Sequence, residues 1–151
     1  MSDVRYYLRV WGIKGESTAP GHVGDSDVST WSISNLEGRN VTTGFGVHVP
    51  HQEFGGWIST SGRDFGVLHI TKKKDSASDL IFQACLAATN LETVILYCEK
   101  VPDKGSSYTY YTILLHNAIV NSFDRYADPS GGEMTMFSFK PEEALIKPLR
   151  H

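Results

Sequence analysis

The sequence predicts a mainly β domain, a barrel or sandwich of short strands with one helix in its middle. Three observations carry that reading. Apolar residues alternate with a period of two along much of the chain. The alternating runs are separated by tight turn formers such as Pro102-Asp103-Lys104-Gly105 and Asp128-Pro129-Ser130-Gly131-Gly132. One segment only, beginning near Ser76, has apolar residues at helical spacing. There is no internal repeat, low-complexity run or interdomain linker, so residues 1–151 are expected to form a single domain.

The first strand follows from Val4, Tyr6, Leu8 and Val10 alternating with Arg5, Tyr7, Arg9 and Trp11. Gly12 to Gly21 is rich in turn formers and reads as a structured loop. A second strand is expected over Asp27 to Ser34, with Asp27, Ser29, Trp31 and Ile33 on one face and the small Val28, Thr30, Ser32 and Ser34 on the other. A long excursion, about residues 36–64, is dominated by Gly, Thr, Ser and His and suggests an extended hairpin. Strand character returns at Phe65 to Thr71. Ser76 then reads as a helix N-cap with Asp79 in the first turn, followed by Ala77, Leu80, Ile81, Ala84 and Ala88 at helical spacing. Strands resume over Glu92 to Lys100, Tyr108 to His116, Ala118 to Tyr126 and Glu133 to Lys140.

Two of these strands are apolar on both faces. Tyr108, Tyr110 and Leu114 alternate with Tyr111, Ile113 and Leu115, and Ile95 and Tyr97 with Val94, Leu96 and Cys98. A small antiparallel domain normally leaves one sheet face to water, so the second face asks for a cover. One helix spans part of it; the remainder falls to a second sheet or to a neighbouring subunit.

Composition excludes several classes. With 40% hydrophobic and 21% charged residues in 151, the chain can bury a full core without a metal or disulfides. A net charge of −3 argues against nucleic acid as the main partner. No run of about 20 apolar residues exists, so membrane insertion is not expected. The N-terminus has no basic and apolar signal regions, which predicts a protein made and kept in the cytoplasm unless a route other than general secretion exports it. Cys85 and Cys98 read as reduced core thiols.

No nucleophile elbow, Walker loop, zincin helix or dinucleotide fingerprint is present, so no catalytic residue and no cofactor is assigned. Gly12-Ile13-Lys14-Gly15 leads into no helix and reads as a strand connection, because a phosphate site needs helix N-terminal amides. His48, His51 and Glu53 have metal-ligand character but converge only across a turn at Pro50, and exposed loop histidines are the commoner reading. Asn40-Val41-Thr42 fits a glycosylation acceptor that a chain without a secretory signal would not use. Lys72-Lys73-Lys74 reads as a solvated strand end.

A further set of residues occurs in a telling order: Gly12-Ile13-Lys14-Gly15-Glu16-Ser17 and then His22, Trp31-Ser32, His69-Ile70-Thr71-Lys72, Asp75-Ser76-Ala77-Ser78, Leu80-Ile81-Phe82-Gln83-Ala84-Cys85, Tyr111 to Leu115 leading into Ala118-Ile119-Val120, and Gly132-Glu133-Met134 leading into Phe137-Ser138-Phe139. In this order and spacing the chain resembles the Hcp family, the tail-tube proteins of bacterial type VI secretion systems. The resemblance implies a small two-sheet antiparallel β-barrel with one flanking helix, assembled as a homo-hexameric ring that stacks with itself. It also implies partners: a spike (VgrG-type) protein, the contractile sheath, and small effector proteins held in the ring channel. By resemblance Ser32 faces that channel, with Thr30 and Ser34 on the same strand face. The long loop, including Leu36, Arg39, Phe45, His48, His51 and Phe54, would make ring or stacking contacts. Its His48, Pro50, His51 and Trp57 depart from the glycines common there. The chain stops soon after the last strand, so no fused effector domain is expected. Export by a contractile apparatus would need no signal peptide. Two other readings stand beside this one: a tail-tube protein of a phage or phage-like particle, and a metal-binding module or enzyme built on His48, His51 and Glu53.

Overall fold

The structure is a computed structural model that describes residues 3–34, 40–42, 52–54 and 57–148. Its strands are β1 (Asp3–Val10), β2 (Ser26–Val28), β3 (Thr30–Ser34), β4 (Asn40–Thr42), β5 (Gln52–Phe54), β6 (Trp57–Ser61), β7 (Val67–Lys73), β8 (Leu91–Val101), β9 (Tyr108–Ala127) and β10 (Glu133–Pro148); its helices are α1 (Gly62–Phe65) and α2 (Ser76–Leu86). All strand pairs are antiparallel and form one curled sheet in the order β2-β1-β8-β9-β10-β7-β3-β4, with β6 also on β10 and β5 beyond it.

The curl comes from a corner in what the sequence suggests is one strand. Residues 27–34 are two pieces: β2 pairs with β1, near one end of the sheet, and β3 with β7, near the other. At the bend the Ser29 N–H donates to the Thr71 carbonyl at 2.8 Å. A chain that changes sheets at a corner also changes which parity points inward. Val28 and Ile33, of opposite parity, are therefore both buried in the core, and Val28 leaves the small polar face expected for it.

The one expected helix is α2, but its N-cap is Asp75, one residue before Ser76. The Asp75 carboxylate accepts from the Ala77 N–H while the Ser78 hydroxyl accepts from the Asp75 N–H at 3.0 Å, a reciprocal capping box. Glu16, from the loop after β1, accepts from the Ser76 N–H as well. Lys72 corrects the reading of the lysine run as solvated. Its side chain is fully buried, with Nζ 2.7 Å from Asp75 and donating to the Lys73 carbonyl at 2.9 Å. A charged lysine buried to this extent needs such a partner.

A second, short helix was not expected. Ser61 caps α1 by accepting from the Asp64 N–H, so Phe65 ends a helix and β7 begins at Val67. Gly62 makes the turn feasible: a Cβ there would lie 1.8 Å from the Pro141 carbonyl oxygen. The two strands expected around Asn117 are one, β9, which passes through Asn117 at φ 52, a conformation asparagine tolerates. The last strand runs on past Lys140 to Pro148 and shares its second edge between β7 and β6. Part of the expected excursion is a hairpin, with Phe54 opposite Trp57.

The core lies inside the curl, where Leu96, Ile113, Leu115 and Phe139 meet Ile81 of α2. The strands that are apolar on both faces divide accordingly. Tyr111, Ile113, Val94 and Cys98 face the core, and Ile95, Tyr97 and Leu114 are half-buried on the other side. Both cysteines are free, and burial pushes the Cys98 thiol up to about 12.

Candidate functional site

Two polar regions are organised by the sheet, and they differ in how their groups are satisfied. The first covers β1 and β8 on the side away from the core. Here the loop following β1 folds back, and His22 stacks on Tyr7 with ring centres 3.9 Å apart. The His22 Nδ1 lies 2.9 Å from Asp25, and its Nε2 contacts Glu99 of β8. Arg9 of β1 donates from Nε to Asp25 at 2.8 Å and from Nη1 to the Tyr97 hydroxyl at 3.1 Å. The bond to Asp25 holds the Arg9 guanidinium above its ordinary pKa, and burial raises that of the Tyr97 phenol. Gly15 lets this loop approach: a Cβ would lie 2.2 Å from the Ser26 hydroxyl oxygen and 2.5 Å from the Asp25 carbonyl oxygen. The motif Gly12 to Ser17 thus serves packing and helix capping.

The second region is the outward face of β3, β7, β10 and β9. Strand alternation sends Ile33, Leu68, Ile70 and Phe137 inward and their neighbours outward. Register then aligns two rows across the sheet. Ser32 lies opposite His69, His69 opposite Ser138, and Ser138 opposite Ser122. Thr30 lies opposite Thr71, and Thr71 opposite Met136, which is 45% exposed. Thr30, Ser32, Ser34, His69, Thr71 and Met136 line an open depression of about 430 Å³. Ser138 and Ser122 satisfy each other at 2.7 Å. Ser34 is buried, with its hydroxyl 2.6 Å from His69 Nε2, and burial lowers the pKa of His69.

The residues singled out in the sequence therefore fall into two groups. Thr30, Ser32 and Ser34 come together on this face. Leu36, Arg39, Phe45, His48 and His51 lie outside the described residues, while Glu53 and Phe54 are placed only as backbone of β5. Sequence reasoning missed His69, Thr71 and Met136 as members of the same face. Their signal was present: His69 and Thr71 alternate with Leu68 and Ile70, as Met136 does with Phe137. Among the described residues no group of three or more His, Cys, Asp or Glu side chains is arranged to hold a metal. No described helix is long and apolar enough to cross a membrane.

Comparison with known proteins supplies the context for this face. No curated protein sequence matches the chain. Among solved structures, the chain is similar to Hcp1 from Salmonella typhimurium, with a TM-score of 0.69 at 15% identity over 97% of this chain and 86% of that one. It is similar to Hcp1 from E. coli EAEC 042 at a TM-score of 0.63 and 19% identity, covering 93% and 87%. The secreted protein Hcp3 from Pseudomonas aeruginosa superposes with a TM-score of 0.59 at 16% identity, covering 99% and 100%. At such identities the structures establish a shared fold. The sequence family described as "Type VI secretion system effector, Hcp" matches residues 7–144, nearly the whole chain. On that match the chain belongs to the Hcp family, the tube-forming component of type VI secretion.

Proposed function

We propose that this chain is a single-domain tube subunit that assembles into hexameric rings, stacks them, and carries small effector proteins in the ring channel, with the outward face of β3, β7 and β10 lining that channel. The observation that carries the reading is the make-up of that face. It holds a concave depression in which the hydroxyls of Thr30, Ser32, Ser34 and Thr71 stand beside Trp31, His69 and Met136, with no Lys, Arg, Asp or Glu, behind a packed core. A wall facing a water-filled channel needs polar groups that neither aggregate nor hold cargo irreversibly, and hydroxyls meet that need. The half-buried row of Ile95 and Leu114, farther along the outward face of the same sheet, suits a contact between subunits. Contacts that close into a ring are heterologous, so that row meets a different surface of its neighbour. Spike and sheath proteins of the same apparatus are the further partners, and the route of export is contraction of that apparatus.

Native mass measurement tests assembly. The expected species is six times the 16.8 kDa chain, and a strict monomer at high concentration and low salt overturns it. Substituting Ser32→Arg tests the face, since the ring should persist while effector retention falls. Ring disassembly by that substitution would place Ser32 in a subunit contact. Appearance of the protein in culture supernatant should depend on an intact type VI apparatus.

A further inference from the structure

His22 is buried, and each of its ring nitrogens faces a carboxylate: Nδ1 lies 2.9 Å from Asp25 Oδ2, and Nε2 contacts Glu99 Oε2. A neutral imidazole has one N–H and one bare nitrogen, so it donates to one of these partners only. The bare nitrogen then turns its lone pair on an ionised oxygen, which has no hydrogen to give back. Both contacts are hydrogen bonds only when the three groups together hold one hydrogen more than a neutral ring and two carboxylates. That hydrogen sits on the second ring nitrogen or on the Glu99 carboxyl, and either placement gives the same count.

The charges around the ring call for the same proton. The Asp25 and Glu99 side chains are only 2% and 13% exposed, and Arg9 supplies one positive charge, to Asp25. A further proton makes the group neutral; without it a buried negative charge is left uncompensated. Arg5 stands opposite Glu99 in the register of β1 and β8, but its side chain is exposed and turned to Asp3 at 3.9 Å. Asp27 of β2, opposite Tyr7, is exposed and adds negative charge. Tyr7 and Tyr97 give the ring their aromatic surfaces, and Thr109 of β9 donates to Glu99 at 3.4 Å.

We infer that this shared proton is a latch that fastens the strap of residues 12–25 onto β8, and that its loss in alkali releases the strap and, with it, the cap on α2. The strap holds its own shape through the Gly15 N–H on the Gly24 carbonyl and the Ser17 N–H on the Asp25 carbonyl, both at 2.8 Å. Between those two bonds Glu16 accepts from the Ser76 N–H, so the strap ties β8 to the first turn of α2. When the proton leaves, a bare nitrogen faces the Glu99 carboxylate and the strap is repelled at its β8 end. The sign follows from proton counting. An unfolded chain gives up its imidazole proton above about pH 6.5, whereas the closed strap keeps one, so the latch is complete below that value and weakens as pH rises.

Amide hydrogen exchange of the whole protein, from about pH 6 to about pH 9 and corrected for the intrinsic rate at each pH, tests the latch. Protection of the Ser17 and Ser76 amides should fall together, by up to about tenfold per pH unit, the slope of one proton. Glu99→Gln brings an amide N–H to the bare Nε2 while Nδ1–H remains for Asp25, so its strap needs no extra proton and should keep constant protection over the range. Protection that is independent of pH in the unsubstituted protein overturns the proposal, and that arm stands whether or not the variant folds. So does a Glu99→Gln protein that keeps the parent's slope, or one whose strap is loosened equally at every pH, since the carboxylate would then act only as a structural anchor.

Discussion

The two polar regions of the sheet make opposite use of similar residues. Around His22, the ring's two nitrogens and the neighbouring charges pair with one another inside the protein, through Arg9, Asp25, Glu99 and Tyr97. Around His69, the ring contacts Ser34 beside an open depression. A satisfied polar cluster specifies how a loop sits on a sheet; an incompletely satisfied one, at an open surface, specifies what can sit on the protein. Two histidines in one small sheet thus differ in setting through their neighbours alone, one inside a paired cluster and one at an open depression.

Substitution should separate the two regions most sharply at His22. Its removal as His22→Ala leaves Asp25 and Glu99 buried with one partner fewer, and the expected loss is about 3–5 kcal/mol in urea denaturation. A loss below about 1 kcal/mol would mean that the cluster is not a unit. Gly62→Ala comes next. The added methyl meets backbone at 1.8 Å, so α1 or β10 must shift, at about 1–3 kcal/mol by the same measurement. The effect of pH on the other region is smaller and has a defined sign. His69 in the folded chain takes up a proton less readily than the unfolded chain does, so its contribution is full above the ordinary imidazole value of 6.5 and declines as pH falls below it. His69→Gln should flatten that part of the stability profile, and an unchanged slope would place its origin elsewhere. Smallest of all is Ser32→Ala, expected to move stability by no more than about 0.5 kcal/mol, because the residue is only half-buried on the outward face and the change removes a single small group.

Much of the fold could be read from residue patterns, and the departures have local physical causes. The alternation of Val4 to Val10 and the helical spacing after Asp75 report burial directly, so β1 and α2 were legible. The corner at Ser29 was not, because alternation assumes a straight strand and the bend depends on two partners far along the chain, Tyr6 with Val28 and Thr30 with Thr71. The α1 turn was hidden for a related reason: Gly62 is required by the Pro141 carbonyl, a neighbour only in space. Lys72 was misplaced because a lysine run looks solvated until one member acquires a buried carboxylate, here Asp75. At the candidate site, Ser32 and its neighbours came from resemblance and strand parity. His69 and Met136 needed the register of β7 and β10, which no single strand reveals.

The bend between β2 and β3 also constrains how the chain reaches its native state. The run of residues that closes the sheet is finished early in synthesis, yet β3 pairs with β7, and β1 waits for β8, with Asp3 opposite Val101. Closing such distant pairs is slow, since loop entropy must be overcome before the contacts reward it. Until β8 emerges, the nascent chain has only β2 to pair with β1 and leaves the other edge of β1 open. The same edge-to-edge pairing that completes the subunit is therefore a hazard during its birth.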